Sequence, residues 1–378
     1  MTDVHFLARD VLKDIRPYIP GKPIEEVARE IGIDPDDIIK LASNENPLGP
    51  SPKAVKALKE AIDEVNLYPD DGAYYLKRKL SEKFGVDPEQ IMVANGSVEL
   101  IQLLGLAFLS PNDSLVTSAQ SFIMYRIVGK IIGAEVIETP LTQDYKVDLD
   151  AILKAIKKNT KLVFISNPNN PTGTANLKDE VERFMERVPE HVIVVWDEAY
   201  YEYVADGDWP DTIKYLKSGM NVVALRTMSK AYGLAGLRIG YGFTTPEIVS
   251  ALMKVRLPFN VNRLAQIAAA AALDDEEHVR RSRELVEKER EFFYREFERL
   301  GLKYCKTYAN FVFVELGIDG YEVYEQLLHK GVIVRPLRAY NFPTAVRITI
   351  GTHEQNVRLI NELEKILKEK KVGIYGTS

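Results

Sequence analysis

A chain of 378 residues is long for one domain and short for three, so two domains, one of them large, are expected, with ample length to bury a core. Apolar content of 46% and charged content of 28% are those of an ordinary soluble globular protein, and a net charge of -6 argues against nucleic acid as the main partner. One cysteine, Cys305, rules out an internal disulfide framework and suits a reducing cytoplasm, and no apolar run resembles a secretory leader or a membrane span.

In chain order, Val4, Leu7, Val11 and Ile15 fall at helical spacing before Pro17 and Pro20-Gly21 break the pattern, and Ile24 to Ile31 repeats it. This arm, residues 1–40, carries an apolar stripe that must be buried against the second domain or another subunit. Leu41-Ala-Ser-Asn-Glu-Asn-Pro-Leu-Gly-Pro50 is a turn-rich loop that reads as a connector on composition alone. Helices are expected from Pro52 to Glu64 and from Tyr74 to Phe84, with the loop Tyr68-Pro-Asp-Asp-Gly72 between them. Ile91-Met-Val-Ala94 is a short strand that turns through Asn95-Gly96 into a helix reaching Phe108. A glycine-bearing turn that opens a helix leaves backbone N–H groups free for an anion, although such turns are common without any ligand. The Walker phosphate-loop pattern is absent, and Gly236 to Gly242 does not open a helix in the dinucleotide-binding manner.

Strands and helices then alternate. Leu115–Ser118, Glu135–Glu138, Leu162–Ser166, Val192–Trp196 and Val222–Leu225 read as strands, with helices expected over Phe122–Ile132, Leu149–Lys157 and Leu177–Val188. The apolar runs at 162–166 and 192–196 are continuous rather than alternating, which suits a mostly parallel sheet covered on both faces. After a helix at Pro246–Val255 come an alanine cluster at 268–272, a charged helix from Glu276 to Leu300, and short strands at Phe311–Val314, Val332–Val334 and Val346–Ile350. Thr352-His-Glu-Gln355 caps a last helix ending near Lys368. The expected architecture is α/β: a large domain over 41–262 with a mostly parallel central sheet, and a smaller α+β domain over 263–378 that the arm joins.

Asn167, Asp197 and Lys230 each stand just past the end of an apolar strand, where open α/β sheets collect their ligands. A lysine on a loop is ordinarily a solvated surface residue. Lys230 differs in its neighbours, since it is boxed in by small and apolar residues, and desolvation there would lower its pKa and free the amine as a nucleophile. Asp197 could equally cap a strand–loop junction, and Asn-Pro-Thr-Gly is also a turn sequence. Cys305 lies in a short strand, Leu302 to Cys305, and is a poor candidate for a catalytic thiol.

Taken together, Asn167-Pro-Asn-Asn-Pro-Thr-Gly173, Asp197-Glu-Ala-Tyr200 and Thr227-Met-Ser-Lys-Ala-Tyr-Gly-Leu-Ala-Gly-Leu-Arg-Ile-Gly240 resemble the signature of the fold-type I aminotransferases. The resemblance implies a PLP-dependent transferase of that fold, carrying pyridoxal 5'-phosphate on Lys230. It implies further that Asp197 meets the pyridine nitrogen and that Asn170 and Tyr200 donate to the phenolic oxygen. Gly96, Ser97 and Val98 match the phosphate-binding turn, Ser229 and Arg238 the remaining phosphate contacts, and Phe122 the ring stacked on the cofactor, where relatives often carry tyrosine. Tyr68 matches a tyrosine that relatives lend to the partner subunit's phosphate, which implies a homodimer with shared sites.

Arg16-Pro-Tyr-Ile-Pro-Gly-Lys-Pro23, Asn44-Glu-Asn-Pro-Leu-Gly-Pro50, Tyr68-Pro-Asp70, the Lys230 block and Arg347-Ile-Thr-Ile-Gly-Thr352 resemble, more narrowly, the histidinol-phosphate aminotransferase branch. That implies a cytoplasmic enzyme of histidine biosynthesis exchanging an amino group between L-histidinol phosphate and 2-oxoglutarate, giving imidazole acetol phosphate and L-glutamate, with Lys230 as the proton shuttle. Arg335 and Arg347 match the arginines that hold the substrate's anionic groups, Tyr18 a tyrosine over the pocket, and Asn46 a weaker position there. Three alternatives stay open on the sequence. They are an aromatic amino-acid aminotransferase, a threonine-phosphate decarboxylase, and a cofactor-binding regulator, for which no winged-helix segment is found.

Overall fold

The continuous apolar runs form the centre of a seven-stranded sheet in a computed structural model that describes residues 7–204 and 207–375. From one edge to the other its strands are Ile91–Ala94, Gly240–Phe243, Val222–Thr227, Ile193–Asp197, Thr160–Ser166, Ser114–Ser118 and Glu135–Thr139. Every pairing is parallel except the two made by Gly240–Phe243, which runs against both neighbours. The inner strands Ser114–Ser118, Ile193–Asp197 and Val222–Thr227 are buried at every residue and Thr160–Ser166 at all but Lys161, so they do not alternate apolar with polar. The edge strand Glu135–Thr139 exposes Glu135 and Glu138, charges that discourage pairing with another chain.

Helices cover both faces. Arg263–Ala272 lays Ala265, Ala268, Ala269 and Ala272 on one face at helical spacing, all fully buried. They share a core with Ala54, Leu76, Ile91 and Phe243, and their small side chains let the helix approach closely. This helix therefore packs with the seven-stranded sheet, on the far side of the boundary that the sequence placed between 262 and 263.

Beyond it, the 25-residue helix Glu276–Leu300 leads to a four-stranded antiparallel sheet ordered Arg335–Pro336, Ala345–Thr349, Phe311–Glu315, Lys303–Tyr304. The strand Ile39–Lys40 pairs in parallel with Val332–Ile333 as a separate two-stranded sheet, and the Thr349 N–H donates to the Leu41 carbonyl at 2.8 Å, which ties the N-terminal segment to the four-stranded sheet. The expected last helix is longer than its pattern, running from His353 to Tyr375.

The arm differs most from expectation. Residues 10–14 make a single 3-10 turn rather than an amphipathic helix, Leu7 is 79% exposed, and Val4 falls outside the described residues. With Pro17 close behind, the stripe is too short to hold an α-helix by itself. The repeat at Ile24–Ile31 is helical, stopped by Gly32 in the left-handed region, and buries Val27 and Ala28 against Ile333 and Leu328. Among the described residues no helix is long and apolar enough to cross a membrane, and no metal-ligating cluster occurs.

Candidate active site

A cavity of about 270 Å³ opens where the carboxyl ends of the central strands face the second sheet. It draws residues from widely separated stretches: Tyr18, Ser97, Val98, Phe122, Asn170, Asp197, Tyr200, Ser229, Lys230, Arg238, Arg335 and Arg347 all line it. Right-handed crossovers bring every strand's exit to the same side of a parallel sheet, so residues far apart in sequence meet there.

Lys230 follows the strand Val222–Thr227 and donates from Nζ to the Ser43 carbonyl at 3.0 Å. Burial pushes its pKa down to about 7, the Arg347 and Arg238 charges push the same way, and Glu45 and Asp197 oppose them. A sizeable fraction of the amine is therefore uncharged near neutrality.

Asp197 ends its strand with its carboxylate buried. Oδ2 accepts from the Tyr125 hydroxyl at 2.7 Å and Oδ1 from the Ala199 N–H at 3.2 Å. Burial raises its pKa to about 6, held from going higher by those two hydrogen bonds. Tyr125 is itself fully buried and stacks on Phe164, with ring centroids 4.9 Å apart.

Opposite these groups the turn Asn95–Gly96 opens the 12-residue helix Ser97–Phe108. Gly96 adopts φ 80° and ψ 160°, a region open to glycine alone. A Cβ there would lie 2.7 Å from Arg238 Nη2, so the guanidinium rests directly over the turn. A Cβ on Gly240 would lie 2.5 Å from the Ser97 nitrogen, so that strand also needs glycine to admit the turn. Arg238 donates to the Ala235 carbonyl and pairs with no carboxylate among the described residues. Free helix N–H groups and an uncommitted guanidinium together make an anion cradle.

At the other end, Arg347 is buried across the Phe311 ring and donates from Nη1 to Asn170 Oδ1 at 2.5 Å and from Nη2 to the Ala42 carbonyl at 2.7 Å. Its Nε–H has no hydrogen-bond partner among the described residues. Arg335 makes no hydrogen bond or ion pair among the described residues and lies over the Tyr18 ring, 5.5 Å from its centroid. Tyr200 receives a hydrogen bond from Asn44 Nδ2 at 2.8 Å, and burial lifts its hydroxyl to about 12, so it remains a protonated donor.

Besides Gly96, which shapes the turn without lining the cavity, two expected residues are not brought to it. Asn46 turns away, donating to the Ala231 carbonyl and to Ser282 Oγ, both at 2.8 Å, and so fastens the loop to the helix Glu276–Leu300. Its amide is thereby committed to the scaffold. Tyr68 stands outside the cavity of its own chain, 78% exposed and stacked on Phe259 at 4.7 Å.

Other residues belong here that sequence reasoning passed over. Ser43 and Asn44 come from the loop read as a connector, and Asn44 takes φ 56° to aim its amide at Tyr200. Tyr125 had one available signal, its position three residues beyond Phe122, whose ring it meets edge-on at 5.7 Å. Cys305 is buried away from this cavity, and its thiol is pushed up to about 12 by burial, which leaves it inert.

Comparison with known proteins agrees with this architecture. The model of the family "Aminotransferase class I and II" matches residues 36–363. The chain is 49% identical to a histidinol-phosphate aminotransferase of Moorella thermoacetica over 95% of this chain and 92% of that protein. It is 48% identical to one of Caldicellulosiruptor saccharolyticus over 95% and 99%. Among solved structures it resembles the histidinol-phosphate aminotransferase of Sinorhizobium meliloti in complex with pyridoxal-5'-phosphate, with a TM-score of 0.87 and 27% identity over 95% of this chain and 97% of that one. The chain belongs to the class I and II aminotransferases.

Proposed function

We propose that this protein is a cytoplasmic pyridoxal-phosphate-dependent aminotransferase that passes the amino group of L-histidinol phosphate to 2-oxoglutarate, forming imidazole acetol phosphate and L-glutamate. The observation that carries the reading is the convergence, in one cavity, of a lysine amine with a pKa near 7, a buried carboxylate, an anion cradle and two arginines. The family match and the names of relatives at nearly half identity support it.

The residues fit the cofactor. Lys230 would attach it, Asp197 would face its ring nitrogen, and Phe122 would pack against the ring. Asn170 and Tyr200 would donate to its phenolic oxygen; Arg347 engages Asn170 Oδ1, and Asn170 Nδ2 makes no hydrogen bond among the described residues. Its phosphate would lie in the cradle of Gly96, Ser97 and Val98, with Ser229 and Arg238 beside it. When bound, the cofactor supplies an electron sink that makes the substrate's α-proton acidic.

The chain's own work is proton movement and orientation. Lys230 Nζ takes the α-proton of the amino donor and returns a proton to the α-carbon of the acceptor acid in the second half-reaction. An amine near pKa 7 is suited to both tasks, being neither permanently charged nor a weak acid. Arg335 and Arg347 orient the substrate by its anionic groups, since a guanidinium pairs phosphate and carboxylate alike. Tyr18 covers the outer end beside Arg335. We further propose a homodimer in which Tyr68 of each subunit reaches the cradle of the other. This accounts for a tyrosine 78% exposed beside an exposed Leu67.

The test is a half-reaction, following the visible absorbance of cofactor-loaded protein on mixing with L-histidinol phosphate, with L-phenylalanine in parallel. Fast conversion with histidinol phosphate and slow conversion with phenylalanine is expected. Reaction with phenylalanine alone would make it an aromatic aminotransferase, and carbon dioxide release a decarboxylase.

A further inference from the structure

Tyr340 closes the 3-10 turn Arg338–Tyr340, and the turn is held firmly. Its N–H donates to the Leu337 carbonyl at 2.9 Å, the next residue, Asn341, reverses the chain at φ 61°, and Arg338 pairs with Asp319. The ring is 2% exposed, packed with Phe313, Leu337 and Ala345. A tyrosine buried to that degree ordinarily finds a partner for its hydroxyl. This one has no hydrogen bond from the described residues and lines the active-site cavity beside Arg335 and Arg347. Burial raises its pKa, while Arg347 and then Arg335 pull it back, so the hydroxyl stays a protonated donor at neutral pH.

The two arginines do not by themselves distinguish the anions they hold. A carboxylate has two oxygens, which one guanidinium fork fills, whereas a phosphate monoester presents three terminal oxygens. We propose that Tyr340 is the residue by which this site prefers a phosphate monoester to a carboxylate, its hydroxyl donating to the third terminal oxygen while Arg335 and Arg347 hold the other two. The inference rests on histidinol phosphate being the substrate. A donor aimed at an atom that only one ligand possesses discriminates strongly, because the competing ligand leaves it unpaired.

The test is Tyr340→Phe in the cofactor-loaded enzyme, with a thermal midpoint matching the parent as the folding control. Single-turnover half-reactions are measured with L-histidinol phosphate and L-glutamate, and inorganic phosphate is titrated as a competitor of each. The apparent Kd for histidinol phosphate and the inhibition constant for phosphate are expected to rise roughly tenfold, and that for glutamate less than about twofold. Equal losses for both substrates would show a general packing role and overturn the proposal, as would an unchanged constant for histidinol phosphate. If the parent enzyme does not react with histidinol phosphate, the functional reading fails. Inorganic phosphate still decides the role of Tyr340 in that case, since equal binding to parent and variant overturns it.

Discussion

Tyr125 donates its hydroxyl proton to Asp197 Oδ2 at 2.7 Å, with both side chains buried. The bond favours the charged carboxylate that burial disfavours, and it keeps Asp197 at about 6 instead of higher. Tyr125→Phe removes the donor and leaves the stacking on Phe164 in place. Asp197 should then be protonated at pH 7, and cofactor affinity should fall about tenfold, one pKa unit being ~1.4 kcal/mol. The deficit should shrink toward pH 9, where the carboxylate ionises again. Fluorescence titration of cofactor binding across pH checks this; a deficit constant with pH would mean that Tyr125 only shapes the pocket.

Lys230 imposes the opposite kind of pH dependence on the fold. Its pKa is about 7 in the folded chain and ~10.4 when unfolded, so between these values the unfolded chain binds the extra proton. Stability of the cofactor-free protein from this group should therefore rise with pH across that window and be flat below it. Lys230→Met should be the more stable protein at pH 7, by ~1–2 kcal/mol after allowance for the solvent that reaches the amine, and the gain should vanish near pH 10.5. Urea unfolding at several pH values measures it. Parallel stability curves for parent and variant would contradict a desolvated amine.

The anion cradle depends on the absence of one atom. Gly96→Ala would place a Cβ 2.7 Å from Arg238 Nη2 and force alanine into φ 80°, ψ 160°. The strain should destabilise the fold by ~1–3 kcal/mol. Displacing the guanidinium should weaken cofactor binding by about tenfold or more, as expected for a lost charge-assisted hydrogen bond. Calorimetric unfolding and a cofactor titration report the two effects separately. Unaltered affinity would show that Arg238 does not serve the cradle.

How far the sequence revealed this site follows from where each residue gets its direction. Asn170, Asp197 and Lys230 leave buried strands whose apolar runs mark their own ends, and a parallel sheet sends all those ends to one side. The loop 41–50 offers no such guide. Asn44, Glu45 and Asn46 are adjacent polar residues, and only the left-handed backbone at Asn44 decides that its amide meets Tyr200 while that of Asn46 meets Ser282. Tyr340 was hidden for a related reason: it is packed in the core and yet lines the cavity. The alanine cluster at 268–272 announced a closely packed helix but not which sheet it would pack against.

Tyr68 is exposed together with its neighbour Leu67 (54%), and Leu257 (73%) lies two residues before Phe259, on which Tyr68 stacks. In an isologous dimer each site would combine Lys230 of one subunit with Tyr68 of the other. Lys230→Ala and Tyr68→Ala proteins should each be strongly impaired. Co-refolded in equal amounts, half of the dimers should be hybrids, each with one intact site and one site carrying both changes, so about a quarter of all sites should recover. Titrating active sites in the mixture measures that fraction directly. If Tyr68 served its own chain, the hybrids would hold only singly defective sites and mixing would restore nothing. Sedimentation showing a monomer would remove the shared-site arrangement altogether, leaving these exposed side chains to be explained by another partner.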